Sequence, residues 1–526
     1  MTVEFTSAPE RFTDYSVSDM VRRWAEERPN EPAYISPNES TTWAEYDRLA
    51  DDVRAALLSL GDIPAVTVYL PDTVALHATL VGAYRAGVLA VAVGARSGPA
   101  ELAHLMAAAG STVLVTTGDN RGRPVAELSS DLSARDATPA HLVLVDPTEV
   151  TVDGSRAVDD HRVSAEFSVD DVCMLNSTSG TTGRPKLVMQ TQRRWNAFAA
   201  IACRNAAMRP EEVVAAFVPA PFGFGLWTAH FLPALLGRPA LVLDRFDAAT
   251  AIDLMARHHA TILACVSTQF RMMLHNQSSD LARLDTLRVM FTGGEAVPYT
   301  EAARFEEVTG ALVLQFYGSN ETGAASATTI YDDERTRLGT GGRLIDEMRV
   351  RVLDDGTGQG GVRRGQPAVR GPLMSPGYWN DAAANAELFT EDGWILLGDI
   401  VEVDETDRLR VVGRLADLII RGGKNISALE VEDFIREHPA VEMVAAVGLP
   451  DPIFGERLCA AITVTPESDP PTLEQLTSWL RQRGITREYL PERLRVLEAM
   501  PVAPGGKIAK ARVRQLVQTN AGDDDA

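Results

Sequence analysis

Eleven consecutive residues, Asn176-Ser-Thr-Ser-Gly-Thr-Thr-Gly-Arg-Pro-Lys186, bring together five hydroxyls, two glycines and a closing lysine. Glycine lets the backbone turn its N–H groups toward an anion, hydroxyls add rotatable donors, and lysine adds a fixed positive charge. Thr178, Ser179, Gly180, Thr181, Thr182, Gly183 and Lys186 therefore read as a cradle for polyphosphate. The spacing is not the G-x-x-x-x-G-K-[ST] of a Walker A loop. A plain surface loop rich in Ser, Thr and Gly is the alternative, and the full spacing disfavours it. The preceding Asp171-Val-Cys-Met-Leu175 is a short apolar run of buried-strand type, so the loop should leave a sheet at the C-terminal edge of a strand.

The elements that must hold this loop follow from hydrophobic periodicity. Apolar residues recur at helical spacing over 42–60, and then strands at 66–70, 88–93 and 111–116 alternate with helices at 73–86 and 99–109. A second alternation fills 213–316, with strands at 213–218, 240–243, 262–266, 287–291 and 312–316 and helices at 228–236, 248–258 and 270–276. Such alternation builds parallel, doubly wound sheets. Residues 345–415 change to short alternating strands separated by Gly-rich turns, which suggests a barrel-like β unit. The stretch 117–165 reads as a variable surface excursion. Beyond 415 a compact α+β block is expected, with helices at 429–438 and 473–483 and strands at 441–448 and 458–464, ending in a solvated acidic tail. The expected fold class is α/β. A large N-terminal domain (1–415) of two doubly wound subdomains plus a distorted β-barrel precedes a small mobile α+β C-terminal domain (416–526).

Bulk properties narrow the function. A chain of 526 residues is too long for one core. Its 45 % hydrophobic and 23 % charged composition is that of a globular protein. A formal charge of −22 argues against nucleic acid as a partner and requires that any anionic substrate be held by local donors. Cys173, Cys203, Cys265 and Cys459 show no C-x-x-C pairing and are expected as reduced core thiols. The N-terminus lacks the charge and apolar pattern of a signal peptide, and no uncharged run reaches membrane-spanning length. A soluble cytoplasmic protein is expected, with no membrane partner and with a homodimer left open.

Five further motifs follow the loop: Phe291-Thr-Gly-Gly-Glu-Ala296, Phe316-Tyr-Gly-Ser-Asn-Glu-Thr-Gly323, Gly393-Trp-Ile-Leu-Leu-Gly-Asp399, Gly413-Arg-Leu-Ala-Asp-Leu-Ile-Ile-Arg-Gly-Gly-Lys-Asn-Ile426 and Pro504-Gly-Gly-Lys-Ile508. In type, spacing and order the set resembles the adenylate-forming superfamily, which comprises acyl-CoA synthetases, nonribosomal adenylation domains and beetle luciferases. The resemblance covers nearly the whole chain. It implies that a carboxylate reacts with ATP to give acyl-AMP and pyrophosphate, and that the acyl group then passes to a thiol such as coenzyme A. By the same resemblance Thr181, Thr182 and Lys186 contact phosphate, and Glu321 with Thr182 associates with Mg2+. Phe316, Tyr317 and Gly318 with Gly293, Gly294 and Glu295 frame the adenine and the acyl phosphate. Asp399 and Arg414 take the ribose, and Gly422 and Gly423 flank the pantetheine channel. Lys507 neutralises charge between the carboxylate and the α-phosphate.

Two positions depart from that pattern. Asn320 stands where Thr or Ser is usual, and its amide can still donate to phosphate. Ala416 occupies the hinge, commonly Asp or Lys. Alanine offers no backbone obstacle to rotation but lacks a charge that can be paired in both poses, a bias of about 1 kcal/mol. Adenylation should be robust, and thioester formation either normal or impaired. Phe222, Gly223, Phe224 and Trp227, with Val266, Phe270 and Thr292, suggest a pocket for a bulky apolar acid that is aromatic, alicyclic or terpenoid, although each could equally be core. His230, His258 and His259 lack metal spacing and are expected to be structural or surface residues. An acid–CoA ligase is the first reading. The alternative is an adenylating enzyme that passes its acyl-AMP to a separate partner ligase or carrier protein. A nucleotide sensor is disfavoured because Glu321, Asp399 and Lys507 are all present.

Overall fold

The computed structural model describes residues 13–156, 165–177, 185–276, 280–294, 297–354, 358, 360–421, 424–466, 468–502 and 508–519. By internal contact the chain divides into two units. The first takes Pro185–Val350, Val369–Ile395 and the chain before residue 178, and the second takes Arg351–Ala368 and everything from Leu396 onward.

The first unit contains two large sheets. One is built on β1 (Ala65–Val68), β2 (Leu89–Ala92), β3 (Val113–Thr116), β4 (His141–Asp146), β5 (Val172–Ser177) and β6 (Leu187–Thr191), in the order β6-β5-β2-β1-β3-β4. β5, β2, β1, β3 and β4 run parallel, and β6 returns antiparallel along β5. These central strands are nearly continuous in Val, Ala and Leu because they are covered on both faces. Helix α1 (Val74–Ala86), between β1 and β2, is buried at every position. Helix α2 (Gln192–Asn205) follows β6 directly.

The second sheet contains β7 (Val214–Ala216), β8 (Ala240–Leu241), β9 (Ile262–Ala264), β10 (Val289–Gly293), β11 (Leu312–Ser319) and β12 (Gly323–Ala327), in the order β12-β11-β10-β9-β7-β8. Its parallel centre has a core of Met255, Leu263, Phe270, Met290, Phe305 and Val313.

Three elements differ from the expectation. The stretch 117–165 is not only a surface excursion, because it supplies β4, a parallel strand of the first sheet, whose Leu-Val-Leu-Val core was outweighed by its polar surroundings. Pro32–Ile35 adds a further parallel strand beside β8. The helix expected from 228 starts at Gly223 and contains a π-helical turn over Trp227–Phe231 before Leu232–Leu236.

In the second unit, Asp399–Val403 and Leu409–Arg414 pair antiparallel within a five-stranded sheet, with no closed barrel among the described residues. The C-terminal block is a second five-stranded sheet. Its long hairpin Val441–Asp451 and Gly455–Val464 packs with helices α3 (Ala428–Arg436) and Leu473–Gln482 around Ile419, Val431, Ile435, Leu458, Ile462 and Leu480. Helix α4 (Lys510–Thr519) lies over Ala445, Val447 and Ala461 through Val513 and Val517. All four cysteines are buried free thiols.

Candidate active site

Thr178, Ser179, Gly180, Thr181, Thr182 and Gly183, expected to cradle phosphate, lie outside the described residues, as do Glu295, Gly422, Gly423 and Lys507. Their neighbours define the site. β5 ends at Ser177 and β6 begins at Leu187, antiparallel to it. Asn176, one residue before the end of β5, is completely buried.

Asn176 is the centre of a polar cluster that the sequence did not announce. Its Nδ2 donates to Pro221 O at 2.9 Å and to Asn320 Oδ1 at 3.2 Å, and its Oδ1 accepts from Asn320 Nδ2 at 2.7 Å. Gln190 Nε2 also donates to Asn176 Oδ1, at 2.7 Å. Gln190 Oε1 accepts from Trp195 Nε1 at 2.9 Å and from the Arg194 guanidinium. Arg194 is buried, and it donates to Asn320 O at 3.0 Å and Leu373 O at 2.8 Å while stacking over Trp195. Burial pulls its pKa downward against the opposing pull of Glu321. The turn at Asn320–Glu321 is thus clamped from behind by a buried cation and two amides. Asn320 is spent on a reciprocal amide pair that a threonine hydroxyl could not reproduce. Asn320→Thr should therefore cost about 1–2 kcal/mol of stability, read by urea unfolding, without raising adenylation activity.

Glu321 is held from its other side. Tyr378 OH donates to Glu321 Oε1 at 2.8 Å, and Lys186 Nζ lies 4.9 Å over the ring of the same tyrosine. Burial and the adjacent carboxylate push the Tyr378 phenol well above its usual range, so it acts as a fixed donor. Tyr378 is placed by residues 375–379, which bond along β6: Met189 N to Gly377 O at 2.9 Å and Trp379 N to Leu187 O at 2.8 Å. Tyr378, Gln190, Asn176 and Arg194 are the residues that sequence reasoning missed. The available signals were a glutamine inside an apolar strand and a Pro-Gly turn before paired aromatics. Gly318 is required where it stands, because a Cβ would overlap Gly323 O across the β11–β12 turn.

The residues expected to line the acid pocket separate into two groups. The ring of Phe224 meets Phe316 edge-on at 5.1 Å and stacks on Trp227 at 6.0 Å, and Trp227 lies 5.6 Å from Phe316 and 5.3 Å from Phe291. Phe316, expected beside the nucleotide, also belongs to this aromatic cluster. Tyr317, next along the strand, faces the opposite side of the sheet. Phe222 packs over Gly94, and a Cβ on Gly223 would sit 2.9 Å from both Asn320 Oδ1 and Trp195. Gly293 ends β10 against Phe316, and Gly294 continues with φ +77°. Phe270 lies elsewhere, in the core with its ring 6.0 Å from Phe305. Thr292 is fully buried, and pleat alternation turns it away from Phe291 and Gly293. Val266 caps the helix Ser267–Leu274, its N–H bonded to Gln269 Oε1 at 3.0 Å.

Within the second unit, Asp399 and Arg414 are register partners, and Arg414 Nε donates to Asp399 Oδ1 at 3.0 Å. Ala416 sits in a single 3-10 turn, Leu415–Asp417. Its neighbour Asp417 is 3.3 Å from Lys510 Nζ, which also lies 2.8 Å from Glu432 Oε1. Glu432 accepts a further bond from Ala446 N at 2.7 Å. Burial pushes the Glu432 carboxyl above its usual range, against the pull of Lys510. A raised carboxyl contributes stability that is complete below its unfolded value and is lost as pH rises through the folded value. Lys510→Met removes the opposing charge, so the loss grows. Thermal unfolding should show a deficit of about 2 kcal/mol at pH 8 and a smaller one at pH 5.

Among the described residues no group of three or more His, Cys, Asp or Glu could hold a metal. A lone carboxylate such as Glu321 suits magnesium, which keeps waters and takes phosphate oxygens in addition. No described helix is long and apolar enough to cross a membrane.

Comparison with known proteins places this geometry. A feruloyl-CoA synthase of Amycolatopsis sp. is 31 % identical over 94 % of this chain and 97 % of its own. A salicyl-AMP ligase / salicyl-S-ArCP synthetase of Mycobacterium tuberculosis is 30 % identical over 96 % of this chain and 91 % of its own. The structure of an o-succinylbenzoate CoA synthetase from Bacillus subtilis, with its acyl-adenylate intermediate, superposes with a TM-score of 0.80 at 23 % identity, covering 94 % of this chain and 97 % of that one. The family model for AMP-binding enzymes matches residues 21–379, and that for their C-terminal domain matches 430–507. With both models matched in order, the chain belongs to the AMP-binding enzymes of the adenylate-forming superfamily, in which a large α/β N-terminal domain is followed by a small C-terminal one.

Proposed function

We propose that the chain is an AMP-forming acid–thiol ligase for a bulky, apolar and preferably aromatic carboxylic acid. The carboxylate oxygen attacks the α-phosphorus of ATP, the bond to the β-phosphate oxygen breaks, and pyrophosphate leaves. The coenzyme A thiol then attacks the acyl carbon, its proton passes to solvent, and AMP leaves. The observation that carries this reading is the position of Gly223. It joins the aromatic cluster of Phe224, Trp227 and Phe316 to the clamped Asn320–Glu321 turn, so an apolar acid would meet the charged groups at one place. The aryl acids named for two of the relatives support the same class.

Two anions must meet in the first step, so the barrier is largely electrostatic. Magnesium, when bound, neutralises phosphate charge, and Glu321 and Thr182 are the residues that would hold it. Tyr378 fixes the Glu321 carboxylate and carries the Lys186 cation over its ring. Thr178, Ser179, Gly180, Thr181 and Gly183 supply phosphate donors. Tyr317 and Gly318, with Gly293, Gly294 and Glu295, receive the adenine. Asp399, oriented by Arg414, accepts from the two ribose hydroxyls. Lys507 neutralises the approaching oxygens, and Gly422 and Gly423 leave room for pantetheine. The division at residues 415 and 416, with Ala416 as the hinge, and a cytoplasmic location that supplies ATP and coenzyme A belong to the same proposal.

A second reading keeps adenylation and assigns acyl transfer to a separate partner ligase or carrier protein. Ala416 favours it, since the hinge lacks a charge. ATP–pyrophosphate exchange across a panel of acids tests the first half. Exchange should depend on aromatic or alicyclic acids and not on short aliphatic or α-amino acids, and exchange with none of the panel would refute the proposal. Acyl-CoA yield in the same mixtures chooses between the two readings.

A further inference from the structure

Asp72, His77 and His230 are buried in the first unit and have no place in the chemistry above. Asp72 is 8 % exposed and both histidines are fully buried. His77 belongs to the first turn of α1, and Asp72 lies two residues before that helix. His77 Nδ1 is 3.3 Å from His230 Nδ1, and its Nε2 is 3.4 Å from Asp72 Oδ1. Tyr34 stacks on the His77 ring at 4.5 Å. Asp72 Oδ2 accepts the backbone N–H of Ala220 at 2.9 Å. Desolvation and the neighbouring imidazole push His230 well below its usual range.

These contacts bracket the segment assigned to the acid. Ala220 stands just before Phe222, and His230 just after Trp227. Between them lie Gly223 and Phe224, and a turn so tight that a Cβ on Gly225 would overlap the carbonyls of Val218 and Pro219. Trp227 and His230 share the π-helical turn Trp227–Phe231, a rare form that occurs mostly as a single turn inside an α-helix and is frequent at functional sites. Both anchors lead to one support, the fully buried α1. Nothing else in the chemistry requires a carboxylate and two imidazoles at this depth, where unpaired polar groups are costly.

We propose that Asp72 and His77 are positioning residues for acid selection. They fix the two ends of the segment 220–230 against α1 and so set the size of the aromatic pocket. The inference rests on the reading of Phe222, Phe224 and Trp227 as the acid's contacts. It predicts a larger effect on the acid than on ATP, since the segment meets the Asn320–Glu321 turn only near its start, through the Pro221 carbonyl bonded to Asn176 and the approach of Gly223 to Asn320, among the described contacts.

The test is ATP–pyrophosphate exchange with a graded series of aromatic and alicyclic acids, with KM measured separately for acid and for ATP. Asp72→Ala should raise the KM for the preferred acid about tenfold and reorder the series, leaving the KM for ATP within about twofold. Asp72→Asn, whose amide oxygen still accepts from Ala220, should restore the wild-type order. His77→Phe keeps the stack on Tyr34 but removes both nitrogens, and it should also reorder the series. If Asp72→Ala does not fold, His77→Phe decides. An unchanged order in the folded variants, or parallel rises in the KM for acid and ATP, overturns the proposal. Wild-type exchange that responds to no acid refutes the function itself and is read before any variant.

Discussion

Lys507→Ala should lower acyl-AMP formation by about 10²–10³-fold, the usual cost of losing one preorganised donor at a developing charge. The thermal midpoint should not move, because the lysine is assigned to charge neutralisation and not to packing. The second half-reaction separates this account from a general defect. Preformed acyl-AMP supplied with coenzyme A needs no neutralisation of approaching anions, since the thiol attacks a neutral carbonyl with a good leaving group. The variant should make thioester from synthetic acyl-AMP at close to the wild-type rate. Equal losses in both halves would remove Lys507 from its assigned role.

Glu321→Gln should reduce exchange by about 10²-fold or more, with half-saturation by Mg2+ moving to higher concentration. The amide keeps the size of the side chain and can still accept from Tyr378 OH, so the fold should be unaffected and the loss reports charge. Tyr378→Phe removes only the hydrogen bond that orients the carboxylate, 2.8 Å long in the structure, and should cost about tenfold. If Tyr378→Phe were as damaging as Glu321→Gln, the tyrosine would have a direct part in the reaction. If Glu321→Gln left the magnesium dependence unchanged, the carboxylate would not be the residue that faces the cation.

Much of the fold was legible because both sheets are parallel at their centres and covered on both faces. Their strands appear as short runs of Val, Ala, Leu and Ile between helical stretches, and the helix Pro99–Ala109 falls where periodicity places it, opened by its proline. β4 escaped because its alternating burial lies within a charged, polar stretch. The π-turn at Trp227–Phe231 escaped because periodicity at 3.6 residues cannot register a single widened turn. The motifs single out Glu321, Asp399 and Lys186, but not what holds them. Tyr378 is 57 residues from Glu321 and Asn176 is 144 from Asn320, and no local pattern links residues so far apart. Burial of an aromatic was equally ambiguous: Phe224 and Phe270 look alike in sequence, yet one joins the cluster around Trp227 and the other fills the core beside Phe305.

The central claim is that a carboxylate oxygen attacks the α-phosphorus. An acid labelled with 18O in both carboxyl oxygens, incubated with the enzyme, ATP, Mg2+ and coenzyme A, tests it by mass spectrometry of the products. The account predicts one labelled oxygen in AMP, one in the thioester carbonyl and none in pyrophosphate. Label in inorganic phosphate with release of ADP, or AMP formed without label, would contradict it.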